Sequence, residues 1–328
     1  MSSRRDLVAL ALTSLVACKD TTAQPAVVRD AAPSGPRVVQ VAPPTTIVIA
    51  PPAIDLPRLE SFQLLDAGTG PKAVLRYQRA PGASSFLAQT TLASRHLEHG
   101  AFTPQVKLPA IRDGFAITVA AGQPGRLALR ALPGEAATAS PEAEAYLASW
   151  RKQLQNRRMT ATVDDRGQVA TVSFNDDPSG TRSAQARDDL IQRLLSTIVP
   201  LPLEPVSPGA RWRVVTILKQ GPAFAKQTAT YTLLAAGAVW KVHVKLQRVA
   251  EEQRLEDPSL PAGTTADLIA MFRAFEGDVE VDPKQPMITR GTLAIESRLH
   301  VKLTTAGQAA AQEQLFEDTG SVVLSHER

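Results

Sequence analysis

The chain has 328 residues, 44% of them hydrophobic and 21% charged, with a formal net charge of +4, 5% aromatics and one cysteine. That balance is ordinary for a globular body and excludes a fibrous or wholly disordered chain. Lys and Arg are scattered, with no run of five and no interleaved aromatics, which excludes a nucleic-acid platform. A single cysteine excludes an internal disulfide and a cysteine-built metal site.

The start, Met1-Ser2-Ser3-Arg4-Arg5, is basic, and residues 7–17 form an apolar run interrupted only by Thr13 and Ser14. A membrane-spanning helix needs about twenty apolar residues, so the run is too short to cross and fits the core of a secretory signal. It ends in Leu15-Val16-Ala17-Cys18, which resembles the lipobox of bacterial lipoproteins. The resemblance implies that residues 1–17 are a removed signal peptide and that the Cys18 thiol carries a diacylglycerol. The membrane is then the first partner, through the acylated Cys18. The residue type suits that chemistry, because a thiolate is the nucleophile that forms a thioether. Two or more acyl chains anchor stably where one does not. Lys19 precedes Asp20, an order that by the same resemblance implies a bacterial envelope protein of the outer membrane, facing the periplasm.

Residues 18–58 carry Pro25, Pro33, Pro36, Pro43, Pro44, Pro51, Pro52 and Pro57 among Ala, Val, Thr and Ser. Proline fixes φ and removes a donor, so this segment is expected to be an extended, disordered tether. Residues 59–328 are the expected globular body, read either as one unit or as two similar halves, 59–135 and 200–328, joined by a helical and hairpin segment. The hint of a repeat is Phe-x-x-Gln-Thr after a glycine turn, at Phe86, Gln89, Thr90 and again at Phe224, Gln227, Thr228. Both copies read as hairpins.

Along the body, Ser140-Pro141-Glu142 is a helix start, with a cap, a proline at the first position and an acid beside the dipole. Tyr146, Leu147, Trp150 and Leu154 share its apolar face. Residues 159–174 read as a hairpin turned at Asp164-Asp165-Arg166-Gly167. A second helix is expected over 182–199, with Leu190, Ile191, Leu194, Leu195 and Ile198 as its stripe and Pro200 as its stop. Residues 239–247 alternate: Val242, Val244 and Leu246 face one way, Lys241, His243 and Lys245 the other, a strand with one wet face. The cap pattern Thr264-x-x-Asp267, followed by Leu268, Ile269, Phe272 and Phe275, predicts a third, short helix. A hairpin turned at Asp282-Pro283 and an alternating strand at 298–303 follow, and residues 307–316 read equally as helix or strand. The expected class is α+β: curved antiparallel β-meander sheet with two or three amphipathic helices. The stretch Glu204 to Trp212, "EPVSPGARW", entering a Trp-started strand, and the later "EGDVEVD" resemble a broad set of bacterial lipoproteins with β-rich bodies, and more loosely the half-barrel lipid carriers of the envelope.

Nucleophile-elbow, zincin, P-loop and dinucleotide-binding patterns are missing from the sequence, so no catalytic residue, cofactor or metal is expected and the protein reads as a non-enzyme. Four weaker features remain. His96 and His99 would share a helix face but sit opposite each other on a strand. Asp278, Glu280 and Asp282 share a strand face, which suits a calcium ion or acid–base pair, or simply keeps a strand soluble. Asp164-Asp165 and Asp176-Asp177 suit turns. Trp150, Trp212 and Trp240 suit either a pocket or core packing. Two functional expectations follow: an anchored envelope lipoprotein that binds a lipid or other hydrophobic ligand, or an adaptor lipoprotein that touches another envelope protein and has no ligand cavity. An enzyme would require His243, His300 or the carboxylate row to converge in a cleft.

Overall fold

The structure is a computed structural model, and it describes residues 56–327 apart from 99, 138–143, 145–146, 149–150, 152–156, 175–180, 221, 256–259, 261–262 and 308–310. Cys18, the signal segment and nearly all of the tether lie outside the described residues, as do His99, Trp150 and Asp176-Asp177.

The strands in chain order are β1 (Arg58–Asp66), β2 (Gly82–Glu98), β3 (Ala101–Phe102), β4 (Val106–Lys107), β5 (Ile111–Val119), β6 (Arg126–Ala131), β7 (Glu135–Ala136), β8 (Arg158–Val163) and β9 (Val169–Phe174). After helix α1 (Thr181–Ser196) come β10 (Arg211–Gln220), β11 (Ala223–Ala235), β12 (Trp240–Ala250), β13 (Gln253–Leu255), β14 (Thr264–Val281), β15 (Arg290–Thr305) and β16 (Gln312–Glu327). They form one sheet in the order β1-β10-β11-β12-β14-β15-β16-β2-β5-β6-β8-β9, with β3, β4, β7 and β13 at its margins. Every pairing between these strands is antiparallel.

This corrects the expected α+β class: the fold is nearly all antiparallel β, and α1 is the only helix described along its whole span. The helix expected at Thr264 is the start of β14. A register shift between Leu268 and Ala270 moves the inward phase from Ala266 and Leu268 to Met271, Arg273 and Phe275. That bulge turns a spacing of two into a spacing of three, which imitates a helix. Of the helix expected after Ser140, Glu144, Leu147, Ala148 and Arg151 are described and helical, and Leu147 is fully buried. Of the ambiguous stretch 307–316, residues 312–316 are strand, at the start of β16. The two Phe-x-x-Gln-Thr copies differ. Arg213–Thr232 is the β10–β11 hairpin, but residues 75–79 are not strand, and Phe86 points inward while Phe224 is 61% exposed.

One face of the sheet is buried and the other wet, as in β12, where Trp240, Val242, Val244 and Leu246 alternate with exposed or half-exposed residues. The buried face is concave. Phe62 and Leu64 of β1 and Phe174 of β9, from opposite ends of the strand order, pack on one cluster with Leu190, Ile191 and Leu194 of α1. Two inward glycines permit close approach of neighbouring strands: a Cβ on Gly277 would meet Thr292 O at 2.1 Å, and one on Gly320 would meet Thr91 O at 2.0 Å. One end of the concavity is stoppered by backbone. Tyr77 N donates to Asp165 O, Gln78 N to Pro283 O and Ile288 N to Thr197 O. Trp212 Nε1 donates to Pro200 O at 2.7 Å, and its ring stacks on Tyr231. The long strands β10, β11, β12, β14 and β15 carry a second cluster, in which Ala223, Ala225, Ala250 and Ala266 pack with Leu218, Leu268 and Met271. Among the described residues no helix is long and apolar enough to cross a membrane.

Candidate functional site

A row of polar residues crosses the concave face between the two apolar clusters. It runs in register from strand to strand: Thr216 opposite Gln227, Gln227 opposite Arg248, Arg248 opposite Arg273, Arg273 opposite Ser297, Ser297 opposite Asp318, and Asp318 opposite Ser94. At the usual strand spacing these seven strands extend about 29 Å. On one side the next inward residues include Leu246, Phe275 and Ile295 of the main core. On the other they include Leu218, Ala225, Ala250 and Met271 of the second.

Helix α1 covers this belt with a matching stripe. Its spacing puts Leu190, Ile191 and Leu194 on the apolar core and Asp189, Gln192, Arg193 and Ser196 on the adjoining polar side. Ser196 Oγ accepts from Arg248 Nη2 at 3.1 Å, while Arg248 Nε donates to Gln227 Oε1 at 2.7 Å. Arg193 Nη1 donates to Asp113 Oδ1 of β5 at 2.6 Å. The Arg248 guanidinium also lies 5.9 Å from the centre of the Phe275 ring.

The electrostatics of the belt are strained. Burial, and then the like charge of Arg273, pulls the Arg248 guanidinium down to about 9, so it remains charged at neutral pH. Burial lowers Arg273 too, against the attraction of Asp318 and Asp189. Burial raises Asp189 against Arg193 and Arg273, and raises Asp318 against Ser94, Arg273 and Ser297. Asp318 is 3% exposed, and its Oδ1 has no hydrogen-bond partner among the described residues; the same is true of the buried Gln192 Oε1. Buried polar groups left this way are uncommon in native folds, where nearly all find a partner.

The residues singled out from the sequence fall elsewhere. His96 stacks obliquely on Phe316, with its Nδ1 3.3 Å from Thr103 Oγ1. Asp278 and Glu280 do share the outer face of β14, but basic neighbours on β12 face them: His243 Nδ1 is 2.7 Å from Asp278 Oδ1 and Lys241 Nζ 3.8 Å from Glu280 Oε1. An open depression of about 650 Å³ lies over this ladder of ion pairs. Asp282 instead turns the β14–β15 hairpin, accepting from Lys284 N. His300 meets Glu313 at 3.4 Å. No group of three His, Cys, Asp or Glu suited to a metal occurs among the described residues. Asp164 accepts from Arg166 N and Gln168 N, as a turn residue does, and Trp212 and Trp240 are core. The belt was missed because its members lie far apart in sequence. Its signal was present all the same: Arg248 continues the inward phase of Val242, Val244 and Leu246, and Ser297 that of Leu293 and Ile295.

Compared with models of known protein families and with curated proteins, the chain matches none.

Proposed function

We propose that the protein is a lipoprotein of the bacterial envelope, anchored through an acylated Cys18 at the outer membrane and held off it by residues 18–58, whose concave sheet holds a hydrophobic or amphiphilic ligand. The observation that carries the ligand reading is the belt: a polar row with unmet hydrogen-bonding capacity, flanked on both sides by buried apolar clusters, is the pattern that suits a molecule with a polar group and an apolar body. Alanines at inward positions of the second cluster keep that end of the concavity lined by small side chains. The anchor reading rests on Leu15-Val16-Ala17-Cys18 after a short apolar run. The protein binds rather than transforms its ligand in this reading.

The test uses the full chain, extracted from membranes in a mild neutral detergent. Native mass spectrometry is expected to find a hydrophobic adduct that is lost on denaturation. In the same cells, incorporation of a fatty-acid label is expected in the wild type and not in Cys18→Ser. An apo mass with no uptake of offered lipids would remove the ligand reading and leave an anchored adaptor that contacts another envelope protein. Label retained in Cys18→Ser would remove the anchor.

A further inference from the structure

Arg248 of β12 and Arg273 of β14 stand directly opposite each other on the concave face. Like charges in that relation destabilise a sheet, and burial sharpens the repulsion. Asp113 is paired with Arg193, and Asp189 and Asp318 act on Arg273. The acceptors bonded to Arg248 are both neutral, Gln227 Oε1 and Ser196 Oγ. The belt therefore has its least compensated positive charge at Arg248, beside a second guanidinium. We propose that the Arg248–Arg273 pair is an oxyanion site that takes the phosphate or carboxylate group of a bound amphiphile, an inference that rests on the ligand-holding reading above.

A guanidinium is a planar fork of five N–H donors, matched to two oxygens of a carboxylate or phosphate. Arg248 uses Nε and Nη2 on protein acceptors, which fixes the plane of the fork and leaves further N–H groups to a ligand. An oxyanion between the two forks would offset their repulsion, and its apolar chain would lie on Leu246 and Phe275 or on Ala250 and Met271, the inward neighbours on either side. Arg193, with its side chain 34% exposed, marks where the belt meets solvent. Asp318 and Asp189, on the Arg273 side, set the other boundary of the site and disfavour a second anion there.

The experiment offers the full chain, in dodecyl maltoside, three probes: dodecyl phosphate, dodecyltrimethylammonium and inorganic phosphate. Retention of the two chains is read by native mass spectrometry and the effect of phosphate by thermal unfolding. Dodecyl phosphate is expected to be held about tenfold more tightly than the cationic chain, in the range of one charge-assisted pair. Arg248→Gln is expected to abolish that preference without abolishing uptake of neutral chains. Arg248→Lys, which keeps the charge but loses the fork, should fold in either case and should weaken the preference. Equal retention of both charged chains by the wild type, or an undiminished preference in Arg248→Lys and Arg248→Gln, overturns the oxyanion site and leaves the ligand reading standing. Stabilisation by phosphate that Arg248→Gln removes, with no uptake of any chain, keeps the site for a free oxyanion and overturns the amphiphile. Neither uptake nor stabilisation overturns both.

Discussion

Asp318 is an acid placed where its charged form is unwelcome. Its burial raises its pKa more than Ser94, Arg273 and Ser297 lower it. A carboxyl whose folded pKa lies above its unfolded value binds its proton more tightly in the native state. Its contribution to stability is therefore fully present below the unfolded pKa, near 3.9, and is lost as pH rises through the folded value. At neutral pH the fold therefore carries Asp318 at a cost. Asp318→Asn is accordingly expected to stabilise the protein at pH 7 by about 1 kcal/mol and to leave it unchanged at about pH 3.5, where the native acid is already neutral. Denaturant unfolding at the two values checks this, and a destabilised Asn variant at pH 7 would show that Arg273 depends on the charge. An ionisable group kept at a cost in stability is unusual in a site that serves packing alone.

At the scale of elements, inward glycines let the sheet curve. Gly277 and Gly320 lie on β14 and β16, with β15 between them, and both would push a Cβ into a carbonyl of the next strand. Gly277→Ala should shift the β14–β15 register locally, cost about 2 kcal/mol or more, and lower the thermal midpoint. An unchanged midpoint would mean that the strands separate easily there. The sequence made several elements legible through simple periodicity: α1 by its stripe and Pro200, β12 and β15 by alternation, and the β8–β9 and β14–β15 turns by Asp164 and Asp282. The first half of β14 was illegible because a bulge changed its phase and because Ile269 and Phe272 put apolar groups on its outer face, whereas its second half was read as the first strand of the hairpin turned at Asp282. The order of strands was illegible for a different reason. Nothing local in Phe86 or Asp318 says that β2 pairs with β16, because that pairing is selected by the burial of a whole face.

At the scale of the molecule, β16 joins the early strands to the late ones. In the strand ladder of the described residues, the path from β2 through β5, β6, β8 and β9 joins β10, β11, β12, β14 and β15 at β16, and β1 sits on the far edge, against β10. The belt depends on the same join, since Ser94 reaches Arg273 only across Asp318 and Ser297. Such long-range pairing makes the sheet a single cooperative unit and a slow folder, in the range of milliseconds to seconds or longer. A chain ending before Gln312 should therefore lose more than one strand's worth of structure. Both free edges would be long rows of unpaired N–H and C=O groups, and the inward side chains Phe86, Phe115 and Ile117 would lose the wall that Val322 and Leu324 provide. The expected result is loss of the cooperative thermal transition and aggregation, read by circular dichroism and size-exclusion chromatography. A truncated chain that keeps a cooperative transition and a monomeric elution would mean that the early strands and the late strands each close on their own, and that the belt joins two stable parts instead of running through one.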